Sequence, residues 1–80
     1  MNTVNNDLHQ LIANALRIPA ASVNADTAME TTPAWDSLAH MDLVVTIEER
    51  YAIQLSPDDM VAMRSVSAIS SLLQGKGVLQ

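Results

Sequence analysis

WDSLAHMDLVVTIEERY, residues 35–51, is the most informative segment of the sequence. Plotted at about 100° per residue, as in a helix, its apolar side chains form two stripes instead of one. The stripe expected to face a core contains Leu43, Val44, Ile47 and Tyr51. The other stripe contains Leu38, Met41 and Val45; Glu48 continues it, and Asp42 and Glu49 flank it. The segment therefore predicts a helix over residues 37–51 with apolar residues on two faces.

The second stripe has two interpretations. A helix of a small bundle needs only one buried stripe, and burying Glu48 without a partner would be unfavourable. An exposed apolar patch bordered by acids is typical of a docking surface, and its partner would offer an apolar groove edged with Lys and Arg. Alternatively, Leu38 and Met41 pack beneath the preceding loop, and the acids are simply solvated.

Upstream of this helix the sequence predicts one amphipathic helix and a long connection. Leu8, Leu11, Ile12, Ala15 and Leu16 follow the spacing of a single buried stripe, which indicates a helix over about residues 5–17. Pro19 ends it, because the residue before proline is displaced from helical geometry. Residues 19–35 form a long loop, which we expect Ile18, Val23 and Met29 to hold against the core.

Downstream, the sequence predicts two shorter helices. Ser56-Pro57-Asp58-Asp59 combines a capping serine, a proline at the first helical position and early acids, and opens a helix over about 57–63. Ser65 caps a last helix over about 66–74, Gly75 closes it, and residues 76–80 are expected to fray. The predicted fold class is all-α: a small four-helix bundle with a short third helix, forming one domain over residues 1–80.

Composition limits the classes of function. Nine acidic and four basic residues give a net charge of −5, which opposes binding to nucleic acid and to anionic membranes and favours partners with basic patches. The 80 residues contain no cysteine, so disulfides and thiolate metal sites are excluded. No apolar run is long enough to span a bilayer, and residues 1–7 lack the features of a signal peptide. We therefore expect a cytoplasmic protein.

The segment from Trp35-Asp36-Ser37-Leu38 to Glu48-Glu49, with its terminal aromatic, resembles the acyl carrier protein family, including peptidyl and aminoacyl carriers. That family has an Asp-Ser-Leu motif at the start of its second helix, and the similarity covers most of the chain. The resemblance implies a four-helix carrier fold and a non-enzymatic carrier function, with no catalytic and no metal-binding residues. It also implies a covalent 4′-phosphopantetheine arm on Ser37, transferred from coenzyme A, on which acyl or aminoacyl groups are held as thioesters.

The resemblance further implies the partners. These are a phosphopantetheinyl transferase, an acyl- or aminoacyl-loading enzyme, and a downstream synthase, transferase or thioesterase, all acting on a monomeric carrier. Asp36 would help to orient the transferase's metal ion. Docking would use the second stripe with its acids: Leu38, Met41, Asp42, Val45, Glu48 and Glu49. The pathway would be fatty-acid, polyketide or other specialised biosynthesis.

Several residues have a simpler interpretation beside the functional one. Ser37 would be an ordinary N-cap, or Asp36 would take the cap and leave the Ser37 hydroxyl free. His40, one turn after Ser37, would be a structural histidine or the base of a small hydrolase. Trp35 would pack over the loop-to-helix junction as a hydrophobic staple or contact a partner. Met29, Met41, Met60 and Met63 would fill the core or shelter cargo.

Two positions depart from the commonest family pattern. Trp35 stands where fatty-acid-synthesis carriers have a leucine-glycine run, and Ala39 stands where many of them have an acid. The Trp-Asp-Ser-Leu form is more similar to stand-alone carriers of specialised pathways. An unmodified helical interaction module is the alternative from another functional class.

Overall fold

The computed structural model describes residues 3–78, with side chains from Asp7 onward. Four helices follow in order: α1 (Thr3–Leu16), α2 (Ser37–Tyr51), α3 (Pro57–Ala62) and α4 (Val66–Gly75). Two 3-10 turns, Ala20–Ser22 and Met29–Thr31, lie in the connection between α1 and α2. The predicted all-α bundle with a short third helix is confirmed. Within residues 3–78, no helix has both the length and the apolar character needed to cross a bilayer.

The core lies among α1, α2 and α4, and α3 packs against α4. Leu43, Val44 and Ile47 of α2 are at most 1% exposed, and Tyr51 packs against the core at its edge, as predicted. Opposite them lie the apolar side chains of α1 and α4: Leu8, Leu11, Ile12, Leu16, Val66, Ile69 and Leu73. This packing fixes which face of α2 is turned outward.

The connection between α1 and α2 is held to the body of the protein at several points. Val23 is buried, and Ile18 and Met29 pack against the core, which confirms the predicted anchors. Two backbone hydrogen bonds add to this, from Met29 N–H to the Arg64 carbonyl and from Val66 N–H to the Thr27 carbonyl, both 2.9 Å. Ala28 and Ser65 thus form an isolated bridge, and the loop delivers Trp35 to the start of α2 in a fixed position.

Two helices end on residues with left-handed backbone conformation. Helix α1 extends from Thr3 to Leu16, shifted from the predicted 5–17, and Arg17 follows it with φ 60°. Helix α2 has the predicted bounds, and Ala52 follows it with φ 55°. In both cases the chain turns away while its amides bond the last helical carbonyls, which is the usual role of a glycine.

The short α3 begins as the sequence predicts. Ser56 Oγ accepts from Asp59 N–H at 3.0 Å, and Asp59 Oδ2 accepts from Ser56 N–H at 3.1 Å, a complete capping box. The helix ends at Ala62, one residue before the predicted end.

The prediction that Gly75 closes α4 is wrong. Gly75 is still helical, and Gly77 takes the left-handed conformation with φ 78°, while Val78 N–H bonds the Leu73 carbonyl at 3.1 Å. Lys76 Nζ also lies 3.0 Å from Asp59 Oδ2. Residues 76–78 thus contact the bundle, and the predicted fraying of the tail stays a prediction. Residues 79–80 lie outside the described part of the chain.

The four methionines singled out by the sequence do not share one environment. Met63 is fully buried, and Met29 and Met60 are partly buried against the core. Met41 is 53% exposed, so the expectation of an interior position is wrong for it. Met41 belongs to the outward face of α2, and only the other three contribute to the packed interior.

Candidate functional site

Ser37 is the first residue of α2, and its neighbour Asp36 caps the helix. Asp36 has extended backbone geometry, and its Oδ1 accepts a hydrogen bond from Ala39 N–H at 2.9 Å. Ser37 is exposed, and its hydroxyl makes no hydrogen bond with any side chain or backbone group described between residues 7 and 78. Of the two capping alternatives, the structure selects Asp36, which leaves the Ser37 oxygen free to react.

The surroundings of Ser37 suit a phosphodiester. The oxygen lies at the positive end of a 15-residue helix, where free backbone amides and the helix dipole favour an anion. The neighbouring carboxylate of Asp36 is already engaged with an amide, and Ser37 is open to solvent on its outer side. A phosphodiester on Ser37 would therefore stand at an exposed position with favourable electrostatics.

His40 is fully engaged and cannot activate Ser37. Its Nδ1 lies 3.0 Å from Trp35 Nε1, and its Nε2 lies 2.9 Å from the Met60 carbonyl. Because the indole only donates, Nδ1 must accept, and Nε2 must carry the proton that it donates to the carbonyl. The ring is thus a neutral structural imidazole joining the loop, α2 and α3, and the hydrolase interpretation of Ser37 and His40 has no free base.

Trp35 covers the entry to α2, as the staple interpretation predicts. It is 2% exposed and stands just before the capping Asp36, while His40 is the fourth helical residue, so the two occupy the staple positions. Its partner is a hydrogen-bonded imidazole instead of an aliphatic side chain, with ring centroids 6.2 Å apart. Direct contact between the buried Trp35 and a partner protein is excluded in this conformation.

The second apolar stripe of α2 lies on the surface. Leu38 is 76% exposed, Met41 53% and Val45 48%, so packing beneath the loop is excluded for this stripe. Asp42 and Glu49 are exposed beside it. These five side chains form a continuous outward face that begins next to Ser37; it is called the α2 patch below.

Glu48 continues the outward stripe in the sequence, but its side chain is half-buried at the end of α2. Its Oε2 accepts a hydrogen bond from Leu55 N–H at 2.9 Å. Its carboxylate holds the turn that follows α2, since the adjoining Ile53 N–H also bonds the Glu48 carbonyl at 3.1 Å. A docking function of Glu48 stays a prediction, and its observed contacts are structural.

Two features beside the first turn of α2 were not predicted from the sequence. Val61 of α3 is 68% exposed and lines a groove of about 210 Å³ with Met29, His40, Met60 and Arg64. A six-residue helix offers too little periodicity to assign its faces, so no local signal could have found Val61. Arg17, just beyond α1, lines a depression of about 180 Å³ that also includes Asp36, Leu38 and Asp42. Only tertiary packing brings that arginine to the start of α2.

Comparison with known proteins points to phosphopantetheine carriers. A family model described as a phosphopantetheine attachment site matches residues 6–73. The chain is 26% identical over 72 residues to the acyl carrier protein of Chlamydia trachomatis serovar D, covering 90% of this chain and 94% of that one. It is 25% identical over 72 residues to acyl carrier protein 3 of Ralstonia nicotianae, covering 90% of this chain and 83% of that one.

The chain belongs to the acyl carrier protein family. It is a non-enzymatic carrier that bears a covalently bound 4′-phosphopantetheine. The thiol at the end of that arm is what allows a carrier to hold acyl groups as thioesters. An accessible serine oxygen at a helix start, with the helix capped by another residue, fits this cofactor.

Proposed function

We propose that Ser37 is the attachment point of the phosphopantetheine arm and that the chain carries acyl or aminoacyl groups as thioesters between enzymes. The observation that carries the proposal is the free, exposed hydroxyl of Ser37 beside a helix cap supplied by Asp36. In the modification, Ser37 Oγ forms a bond to the phosphorus of coenzyme A next to the pantetheine. The P–O–P bond breaks, adenosine 3′,5′-bisphosphate leaves, and the hydroxyl proton goes to a base of the transferase. An external base is needed because His40 is engaged on both ring nitrogens.

Intact mass after incubation with coenzyme A and a broad-specificity phosphopantetheinyl transferase tests the attachment. We expect a gain of one phosphopantetheine in the wild type and none in Ser37→Ala. Because Asp36 provides the cap, Ser37→Ala should fold normally, which circular dichroism checks. Ser67→Ala is the matched control, since Ser67 is another exposed serine near a helix start. Modification of Ser37→Ala, or an unmodified wild type, would overturn the assignment.

We infer that the α2 patch is where the enzymes dock. Its apolar residues stand next to Ser37, and Asp42 and Glu49 provide negative charge at its border. An enzyme surface with an apolar groove and basic edges complements this arrangement. Candidates are the transferase itself, a loading enzyme, and a downstream synthase, transferase or thioesterase.

Charge reversal tests the docking surface. Asp42→Lys with Glu49→Lys should lower the transferase's kcat/KM and weaken its dependence on salt, since attraction between charges is screened by ions. Asp26→Lys with Asp58→Lys is the matched control, because it makes the same change of net charge at exposed positions outside the patch. Equal rates for the two double variants would rule out docking through α2.

The pathway and the cargo belong to the same proposal. A specialised pathway is favoured over fatty-acid synthesis because Trp35 and Ala39 stand at positions where the common fatty-acid pattern differs. Intact mass of the protein purified from its own source would identify the attached group. We take residues 1–80 as one carrier domain; a monomer and a cytoplasmic location stay predictions, to be measured by sedimentation and by imaging.

A further inference from the structure

Arg17 keeps a backbone conformation that favours glycine. Its φ is 60°, and it sits in the turn that ends α1, with Arg17 N–H bonding the Asn14 carbonyl at 3.3 Å and Ile18 N–H bonding the Ala13 carbonyl at 3.0 Å. A long charged side chain is unusual at the left-handed residue that follows a helix. Ala52 takes the same conformation after α2, so strain alone does not assign a function. The location of Arg17 provides the second observation.

The depression that Arg17 lines joins the end of α1 to the α2 patch. Leu38 and Asp42 of the patch and the capping Asp36 line the same depression of about 180 Å³. Arg17 is exposed, and among the described side chains the ion pairs are Arg50 with Asp7 and Lys76 with Asp59, so Arg17 is in neither. A solvent-accessible cation therefore stands next to the apolar and acidic residues beside Ser37.

We propose that Arg17 adds a positive charge to the docking surface next to the negative charge of Asp42. The surface thereby selects enzymes that place an acidic side chain opposite Arg17 and a basic one opposite Asp42. The inference rests on the proposed function and specifies which enzymes fit it. An enzyme with a uniformly basic groove is attracted by Asp42 and Glu49 but repelled at Arg17. Rim charges of this kind act on the association rate and on the choice between partners, since a like-charge contact disfavours the wrong one.

The test compares arginine variants against one transferase whose docking groove is basic. Arg17→Glu should raise kcat/KM by about threefold to tenfold at low salt, and the gain should vanish near 1 M salt because exposed charges are then screened. Arg50→Glu is the matched control, because Arg50 lies further along α2 and pairs with Asp7 of α1. It should change kcat/KM by less than about twofold.

Two further variants separate charge from backbone strain. Arg17→Gln removes the charge and should give an intermediate gain, whereas Arg17→Gly removes both the charge and the strain. If the two variants have equal kcat/KM while only Arg17→Gly raises the melting temperature, backbone strain at position 17 has no influence on docking. Equilibrium binding of the transferase to Ser37→Ala, with and without Arg17→Glu, gives the same comparison with no chemical step.

A charge-swapped transferase completes the design. Replacing a basic groove residue of the transferase by Glu, at the position nearest Arg17 in a docked complex, should reverse the preference and favour the wild type over Arg17→Glu. If Arg17→Glu behaves like Arg50→Glu with both transferases, the inference is wrong while Ser37 modification stands. A wild type that no transferase modifies overturns the proposed function, and this inference with it.

Discussion

Trp35 donates its indole N–H to His40 Nδ1 at 3.0 Å, and His40 in turn donates from Nε2 to the Met60 carbonyl at 2.9 Å. This chain of two hydrogen bonds joins the long loop, the first turn of α2 and α3. Trp35 is almost fully buried, whereas His40, which accepts its N–H, is only partly buried. The start of α2, which carries Ser37, is therefore held by a polar contact at the edge of the apolar core.

His40→Phe should lower the free energy of unfolding by about 1–3 kcal/mol, because it leaves a buried indole N–H without an acceptor. Urea denaturation followed by circular dichroism measures the loss. Trp35→Phe and the double variant complete a cycle, with a coupling of about 1 kcal/mol expected. Strict additivity of the two single changes would contradict a direct contact between the residues.

Asp36→Ala should destabilise the protein by about 1 kcal/mol through loss of the helix cap, whereas Asp36→Asn should keep the cap and the stability. The Asn variant therefore isolates the negative charge. We expect it to lower the transferase's kcat/KM, as a contact with the enzyme's metal ion requires. An unchanged rate in a stable Asp36→Asn would limit Asp36 to its capping function.

The adjacent acids Glu48 and Glu49 should behave differently in stability measurements. Glu48→Ala removes the acceptor of Leu55 N–H and should cost about 1–2 kcal/mol. Glu49 is exposed, so Glu49→Ala should stay within about 0.5 kcal/mol of the wild type. Urea midpoints of the two variants give the comparison. Equal midpoints would mean that the Glu48 hydrogen bond adds no net stability.

Ala52→Gly should stabilise the protein by about 0.5–1 kcal/mol, because φ 55° is unfavourable for alanine and not for glycine. Ser71→Gly, an exposed position inside α4, is the control and should lower stability by a few tenths of a kcal/mol or more. Thermal melting distinguishes the two. A lower melting temperature for Ala52→Gly would show that the turn after α2 tolerates alanine without strain.

Hydrogen bonding from the Ser56 backbone N–H, and then from Lys76, lowers the pKa of Asp59 below its usual 3.8. A carboxyl with a lower pKa in the folded state stabilises the fold at pH values above its unfolded pKa. That contribution is lost as the pH falls through the folded pKa. The stability difference between wild type and Asp59→Asn should therefore shrink as the pH is lowered from 6 to below 3.8. A difference independent of pH would contradict it.

Local sequence patterns determined most of the fold. The spacing of Leu43, Val44 and Ile47 predicted the buried face of α2, and the serine-proline-acid run predicted the start of α3, because both depend on residues within about one helical turn. The same periodicity predicted that α2 carries a second apolar stripe. It left open whether the stripe is buried, and it left open whether Asp36 or Ser37 caps the helix.

Only the tertiary structure decided the contacts between residues far apart in the chain. Met60 lies 20 positions after His40, and the bond between them makes the imidazole structural. Arg17 reaches the edge of the α2 patch because α1 packs against α2, and Glu48 turns to Leu55 because the chain folds back there. Helical periodicity fixes the face of a helix on which a side chain lies, whereas packing of the whole chain fixes what stands opposite it.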